Sequence, residues 1–178
     1  VNEDSNLHIV LSGKEKEIAE CLQQYKYNEE QVSIINANDV ISNDESPTEA
    51  IRMKKDSSLV KALDFAKEND DVVGIISAGS TGAVLTGAFM KLGRIKGVLR
   101  PALCPVLPTL KDTSVCICDS GANVDCKPEY LEQFAIMGNA YLKILGNKKP
   151  RIALLNVGTE DHKGDMRSKE TFSLLTNN

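Results

Sequence analysis

The chain contains no tryptophan, and aromatics make up only 4% of its 178 residues, so its core must rest on Ile, Leu, Val and Ala. Histidine is scarce. His8 opens a strand and reads as an edge residue, and His162 lies in a loop, so no Ser-His-Asp set is evident. No apolar run is long enough to span a bilayer, and Val1-Asn2-Glu3-Asp4 does not begin a signal peptide. There is no excess of positive charge: the net charge is −4, which argues against non-specific nucleic-acid binding. The five cysteines (Cys21, Cys104, Cys116, Cys118 and Cys126) lack zinc-ligand spacing. They read as reduced, buried thiols of a cytoplasmic protein, with no metal expected. Internal repeats, linkers and low-complexity tracts are also missing. The length suits one α/β domain over residues 1–178.

What the chain does have is a small-residue turn set between two apolar runs. Val72, Val73, Ile75 and Ile76 form a short β-branched run that predicts a strand buried on both faces of a parallel sheet. Ala83, Val84, Leu85, Ala88, Phe89 and Leu92 predict a helix with hardly a polar side, stopped by Gly93. Between them lies Ser77-Ala78-Gly79-Ser80-Thr81-Gly82. A turn of this kind leaves backbone N–H groups unpaired at the positive end of a helix dipole, the arrangement that holds a phosphate or carboxylate. Gly79 and Gly82 permit close approach, and Ser80 and Thr81 add hydroxyls. The same residues also read as an ordinary strand-to-helix turn capped by Ser80.

The remaining elements follow from period and capping. Residues 8–11 and 32–35 predict strands, with a helix over 14–24 between them. Ser46-Pro47-Thr48-Glu49 predicts a capping box, in which Glu49 reaches back to the cap N–H. The helix it opens carries Arg52, Lys54 and Lys55, which read either as a solvated helix end or as a docking patch for an acidic partner or anion. Asp56-Ser57-Ser58 caps a further helix. Pro101, Pro105 and Pro108 interrupt an extended segment and place it at a sheet edge or bulge. Val115 to Cys118 predicts a buried strand ending in a polar turn, 119–128, that is led by an acid. Pro128 starts a helix closed by Gly146. Ile152 to Val157 predicts the last strand, followed by the loop Gly158 to Asp165 and a helix from about Lys169 to Leu175. Strand-end loops of an open parallel sheet share one edge, so Ser80, Asn123 and Lys163 are expected to converge.

Six segments together resemble the bacterial phosphate acyltransferase (PlsX) family: Ser46 to Arg52, Ser77 to Ala83, Gly93 to Gly97, Arg100 to Leu103, Gly121 to Asp125 and Asn156 to Glu160. The resemblance implies an α/β three-layer sandwich with a mostly parallel sheet, like phosphotransacetylase and the isocitrate dehydrogenase group. It implies transfer of a fatty acyl group from acyl carrier protein to inorganic phosphate, giving acyl phosphate for phospholipid synthesis, with no cofactor. It also implies a cytoplasmic homodimer, with peripheral membrane contact made by parts outside this chain. The family's first strand with its Asp-Ala-Met-Gly-Gly-Asp motif, and a later Asp-Gly-Phe-Thr-Gly-Asn loop, have no counterpart here. The chain is therefore expected as an interior stretch of a longer family protein. Three positions depart from the family: Ser80 stands for Asn, Tyr130 for His, and Ser120 for an aliphatic residue. Two alternatives are an incomplete fragment that keeps only the fold and an anion site, and a phosphotransacetylase-like enzyme using acyl-CoA.

Thioester transfer to phosphate asks for little beyond positioning and charge stabilisation. Phosphate ionises a second time near neutrality and is already nucleophilic, and a thiol with a pKa of about 8.5 leaves readily. The residues expected to carry the chemistry are Ser77, Gly79, Ser80, Thr81 and Gly82 for phosphate. Asn123 is expected as a hydrogen-bond donor to phosphate or oxyanion. Lys163, matching the lysine read as catalytic in the family, is expected for electrostatic stabilisation, with His162 as an optional proton shuttle.

Overall fold

The computed structural model describes residues 4–111, 113–160 and 163–177. His162 lies outside the described residues. The chain forms two compact units, Val1–Gly93 and Arg94–Asn178.

In the first unit, β1 (Ile9–Gly13) and β2 (Val32–Asn36) pair in parallel, with Leu11 opposite Ile34. Parallel neighbours need a crossover, and α1 (Glu15–Leu22) provides it. Three further helices follow: α2 (Pro47–Met53), α3 (Ser58–Glu68) and α4 (Thr81–Lys91). The core lies among them, where Ala50, Ile51, Val60, Leu63 and Ala83 are buried. Gly87 makes this packing possible: a Cβ there would come within 2.6 Å of Leu63 Cδ1 and 3.0 Å of Ile51 Cδ1. Ser57 caps α3 through the Val60 N–H, as its sequence predicts. The capping box at Ser46 does not form. Ser46 makes no side-chain cap bond, and the Glu45 carboxylate beside it is drawn to Lys54 and the Ser42 N–H. Pro47 at the first helical position already fixes the backbone dihedral that starts the helix.

The second unit pairs β3 (Val106–Pro108) and β4 (Ser114–Cys116) as an antiparallel ribbon. It packs α5 (Pro128–Ile144) against α6 (Met166–Thr176). Phe134 and Gly138 of α5 are buried, Gly138 beneath Cys116 and Cys118. Gly146, at φ +94°, closes α5, and the Asn147 N–H bonds back to the Leu142 carbonyl.

Two predicted strands are absent. Residues 72–77 and 152–157 form no strand and join no ladder among the described residues. Val73 and Ile76 are 96% and 102% exposed, so the run expected to be buried on both faces is open on at least one. Leu155 and Val157 are likewise exposed. An apolar run is a strand only when a neighbour takes its N–H and C=O groups. The chain is thus mixed α/β, with one parallel and one antiparallel strand pair among the described residues where a mostly parallel sheet is expected.

Candidate functional site

The turn 77–82 belongs to the first unit and opens α4. Ser80 is its N-cap, and Ser80 Oγ accepts from the Ala83 N–H at 3.4 Å. Ser77 Oγ accepts from the Gly79 N–H at 3.2 Å. The capping reading of Ser80 therefore holds, and two of the turn's donors are satisfied internally. The N–H groups of Thr81 and Gly82 have no partner among the described residues and project from the positive end of an eleven-residue helix. Gly82 also serves packing, because a Cβ there would lie 3.1 Å from Pro47 Cγ of α2. At Gly79 the only neighbour would be Ser77 Oγ at 3.4 Å, so the approach to the turn stays open on that side.

The basic trio divides. Lys54 is bound into the loop before α2: its ammonium donates to Glu45 Oε1 at 2.8 Å and to the Val40 carbonyl at 2.7 Å, with Asp39 at 3.6 Å. The hydrogen bond to Glu45 raises the Lys54 pKa and lowers that of Glu45. Arg52 and Lys55 remain exposed.

Asn123 and Lys163 lie in the second unit. The loop after β4 is folded around Asp119, whose Oδ1 accepts from the Leu103 N–H at 2.6 Å. Its Oδ2 accepts from the Asn123 N–H at 2.8 Å and from Asn123 Nδ2 at 3.2 Å. Burial opposes ionisation of Asp119, but the donors from Leu103 and Asn123 outweigh it and hold the carboxyl below its ordinary value. Asn123 Nδ2 also donates to the Pro101 carbonyl at 2.9 Å. Both partners of that nitrogen are pure acceptors, so the amide orientation is fixed and both its hydrogens are used. The side-chain nitrogen of Asn123, expected as a donor to phosphate or oxyanion, here donates to Pro101 and Asp119. The segment it clips is tied a second time to α5, where Gln133 bonds the Gly97 carbonyl and the Leu99 N–H. Arg100 sits 5.8 Å from the Tyr130 ring centroid.

Lys163 is exposed, and its backbone is held on both sides: its N–H donates to the Glu160 carbonyl at 2.9 Å, and its carbonyl accepts from Asn156 Nδ2 at 3.3 Å. Gly158 leaves room for its stem, since a Cβ there would lie 3.1 Å from Lys163 Cγ. Gly164, at φ +94°, turns the chain into Asp165, which caps α6.

The sequence shows an acid leading the 119–128 turn but assigns Asp119 no role. Its position at the end of a strand, four residues before Asn123, was the available signal. The cysteines are free thiols; Cys104 Sγ lies 2.7 Å from Cys116 Sγ, and burial raises the Cys116 pKa to about 11. Among the described residues no group of three His, Cys, Asp or Glu side chains is arranged to hold a metal ion, and no helix is long and apolar enough to cross a membrane.

The family model described as fatty acid synthesis protein matches residues 1–178. The chain is 51% identical over 176 residues to a phosphate acyltransferase of Dictyoglomus turgidum, covering 98% of this chain and 52% of the relative. It is 48% identical over 173 residues to a phosphate acyltransferase of Clostridium acetobutylicum, covering 97% of this chain and 52% of the relative. The chain belongs to the phosphate acyltransferase family of fatty acid synthesis proteins. It spans about half the length of the curated relatives it matches. The family is one of acyltransferases.

Proposed function

We propose that this chain is the phosphate-handling stretch of an acyltransferase that moves a fatty acyl group from acyl carrier protein to inorganic phosphate. The observation that carries the reading is the 77–82 turn within a family match over the whole chain. Its free N–H groups at Thr81 and Gly82 suit an oxyanion, and Ser77 and Ser80 stiffen the turn around them. Gly79 leaves the approach open.

In this reading phosphate is held at the turn as a nucleophile. Its oxygen attacks the thioester carbonyl, the carbonyl oxygen gains charge, and the thiolate of the carrier departs. The roles the resemblance assigns to the second unit are charge stabilisation of the developing oxyanion by Lys163 and a hydrogen bond from Asn123 to phosphate or oxyanion. Arg52 and Lys55 are the exposed cations of the first unit for an acidic carrier, with Lys54 spent on loop structure. The three-layer sandwich, the homodimer, the cytoplasmic setting and peripheral membrane contact belong to the same proposal and rest on the resemblance.

The test uses a chain of full family length carrying these residues, with thiol release from acyl carrier protein thioester measured with and without phosphate. Lys163→Ala is expected to slow phosphate-dependent release by roughly a hundredfold or more, the cost of losing one oxyanion partner. Lys163→Arg restores part of the rate, because a planar guanidinium places its charge differently. Unchanged release in Lys163→Ala removes the lysine from the mechanism. Release that ignores phosphate in the unsubstituted chain removes the reading itself.

A further inference from the structure

Three of the five thiols gather where the antiparallel ribbon of the second unit rests on α5. Cys116 ends β4, Cys118 follows two residues later, and Cys104 comes two residues before β3. Pairing continues past the ladder, since the Ile117 N–H donates to the Pro105 carbonyl at 3.2 Å. It brings Cys104 Sγ to 2.7 Å from Cys116 Sγ. From the other side α5 walls the group with Gly138, where a Cβ would lie 3.7 Å from Cys118 Cβ and 4.0 Å from Cys116 Sγ. All three thiols are half-buried, and none has a part in the phosphate reading.

A disulfide needs its two sulfurs at about 2.05 Å. Cys104 and Cys116 stand a fraction of an ångström short of that, on two segments already tied by backbone hydrogen bonds. We propose that Cys104 and Cys116 form a reversible disulfide that staples the 101–105 segment to β4 when the thiol–disulfide balance turns oxidising. The same segment meets the loop after β4 through the Leu103 N–H to Asp119 Oδ1 at 2.6 Å and the Ser120 N–H to the Leu103 carbonyl at 2.9 Å. The staple would thus add a covalent link to a contact held by hydrogen bonds.

The oxidant is a low-molecular-weight disulfide, such as oxidised glutathione. The Cys104 thiolate, favoured by its hydrogen bond with Cys116, attacks one sulfur of that disulfide and expels a small thiolate. The Cys116 thiolate then attacks Cys104 Sγ in the mixed disulfide, which forms the internal bond and expels the second small thiolate. The two thiol protons pass to the two departing thiolates. The protein gives up two electrons, and the small disulfide takes them. Burial pushes the three thiols above their ordinary value, Cys116 to about 11, so thiolate is scarce at neutral pH. Closure is therefore slow, and the pair answers a sustained oxidant rather than a brief one.

The test equilibrates the 178-residue chain with graded ratios of oxidised to reduced glutathione at pH 8, both folded and in urea. The thiols are then trapped and the linkage is mapped by fragment masses. An internal Cys104–Cys116 bond is expected, told apart by mass from glutathione carried on the exposed Cys21. At equal ratio the folded chain should close about tenfold or more further than the unfolded one, because the fold holds the two sulfurs together. Excess reduced glutathione should reopen the bond. Cys118→Ser keeps the closure, whereas Cys104→Ser and Cys116→Ser abolish it. The mapping on the unsubstituted chain decides the matter even if a variant does not fold. Absence of an internal disulfide at the most oxidising ratio, a Cys104–Cys118 linkage, equal closure in urea, or a bond that reduced glutathione leaves shut each overturns the proposal. No phosphate or acyl donor enters the measurement, so its outcome is independent of the acyltransferase reading.

Discussion

Asp119 concentrates more of the second unit's polar structure in one side chain than its sequence context suggests. Its carboxylate fixes the backbone at Leu103 and both ends of Asn123. Since those donors favour the charged form, its pKa in the folded chain lies below the value of 3.8 expected for the unconstrained group. A lowered carboxyl pKa contributes stability that is fully present above the unfolded value and is lost as pH falls through the folded value. The Asp119 side-chain carboxyl signal, followed by NMR, should therefore titrate with a midpoint below 3.8, and the Leu103 and Asn123 amide signals should move with it. A midpoint at or above that value would mean that burial, which opposes ionisation here, outweighs the donors. Lys54 makes the complementary point about residue types. A cation in a basic run is legible in sequence, but its commitment to Glu45 and the Val40 carbonyl depends on where a distant loop returns.

At the scale of elements, every expected helix forms, whereas two of the five expected strands, 72–76 and 152–157, join no ladder among the described residues. Helical period and caps are local signals, so Ser57, Ser80, Pro128 and Gly146 mark their helix ends in sequence as they do in structure. A strand depends on a partner that may be anywhere in the chain, and the β-branched run 72–76 names none. The small-residue turn was legible for the same local reason, whereas the bonds that hold the Asn123 side-chain nitrogen needed the positions of Pro101 and Asp119. Gly87 lies between these cases. It looks like one more small residue in α4, yet it is the point where α4 meets both α3 and α2. A β-branched side chain there would have to displace Leu63 and Ile51, which are both buried. Gly87→Val should destabilise the first unit by about 1–3 kcal/mol through overpacking, read as a lowered urea midpoint. Gly79→Ala, whose added Cβ meets only Ser77 Oγ at 3.4 Å, is the control expected to leave that midpoint nearly unchanged. Equal effects at the two sites would mean that backbone freedom, not contact, sets the cost.

On the scale of the whole chain, each unit carries one apolar run with no strand beside it. In the first unit a cavity of about 450 Å³ separates Val10 and Leu11 of β1 from Ile75 and Ile76, so β1 pairs with β2 on one edge and faces open space toward the 72–77 run. In the second unit residues 152–157 lie without ladder bonds among the described residues. Backbone N–H groups exchange with solvent at rates set by their hydrogen bonds, and among the described residues the backbone N–H groups of 73–77 and 152–157 make none to another segment. Hydrogen exchange of the 178-residue chain should therefore show the amides of 73–77 and 152–157 exchanging close to the rates of an unstructured peptide. Those in the middle of α3, α4 and α5 should be slowed by orders of magnitude. The curated relatives are about twice as long as this chain, so the same measurement on a chain of family length asks what the remainder adds. Slowed exchange confined to the two runs would show that the added chain supplies their missing neighbours, and would make the cavity beside β1 a slot for backbone. Fast exchange persisting there would leave both runs as exposed loops, and the cavity open to a ligand at the edge of the 77–82 turn. Protection already present in the shorter chain would contradict the unpaired state of these runs directly.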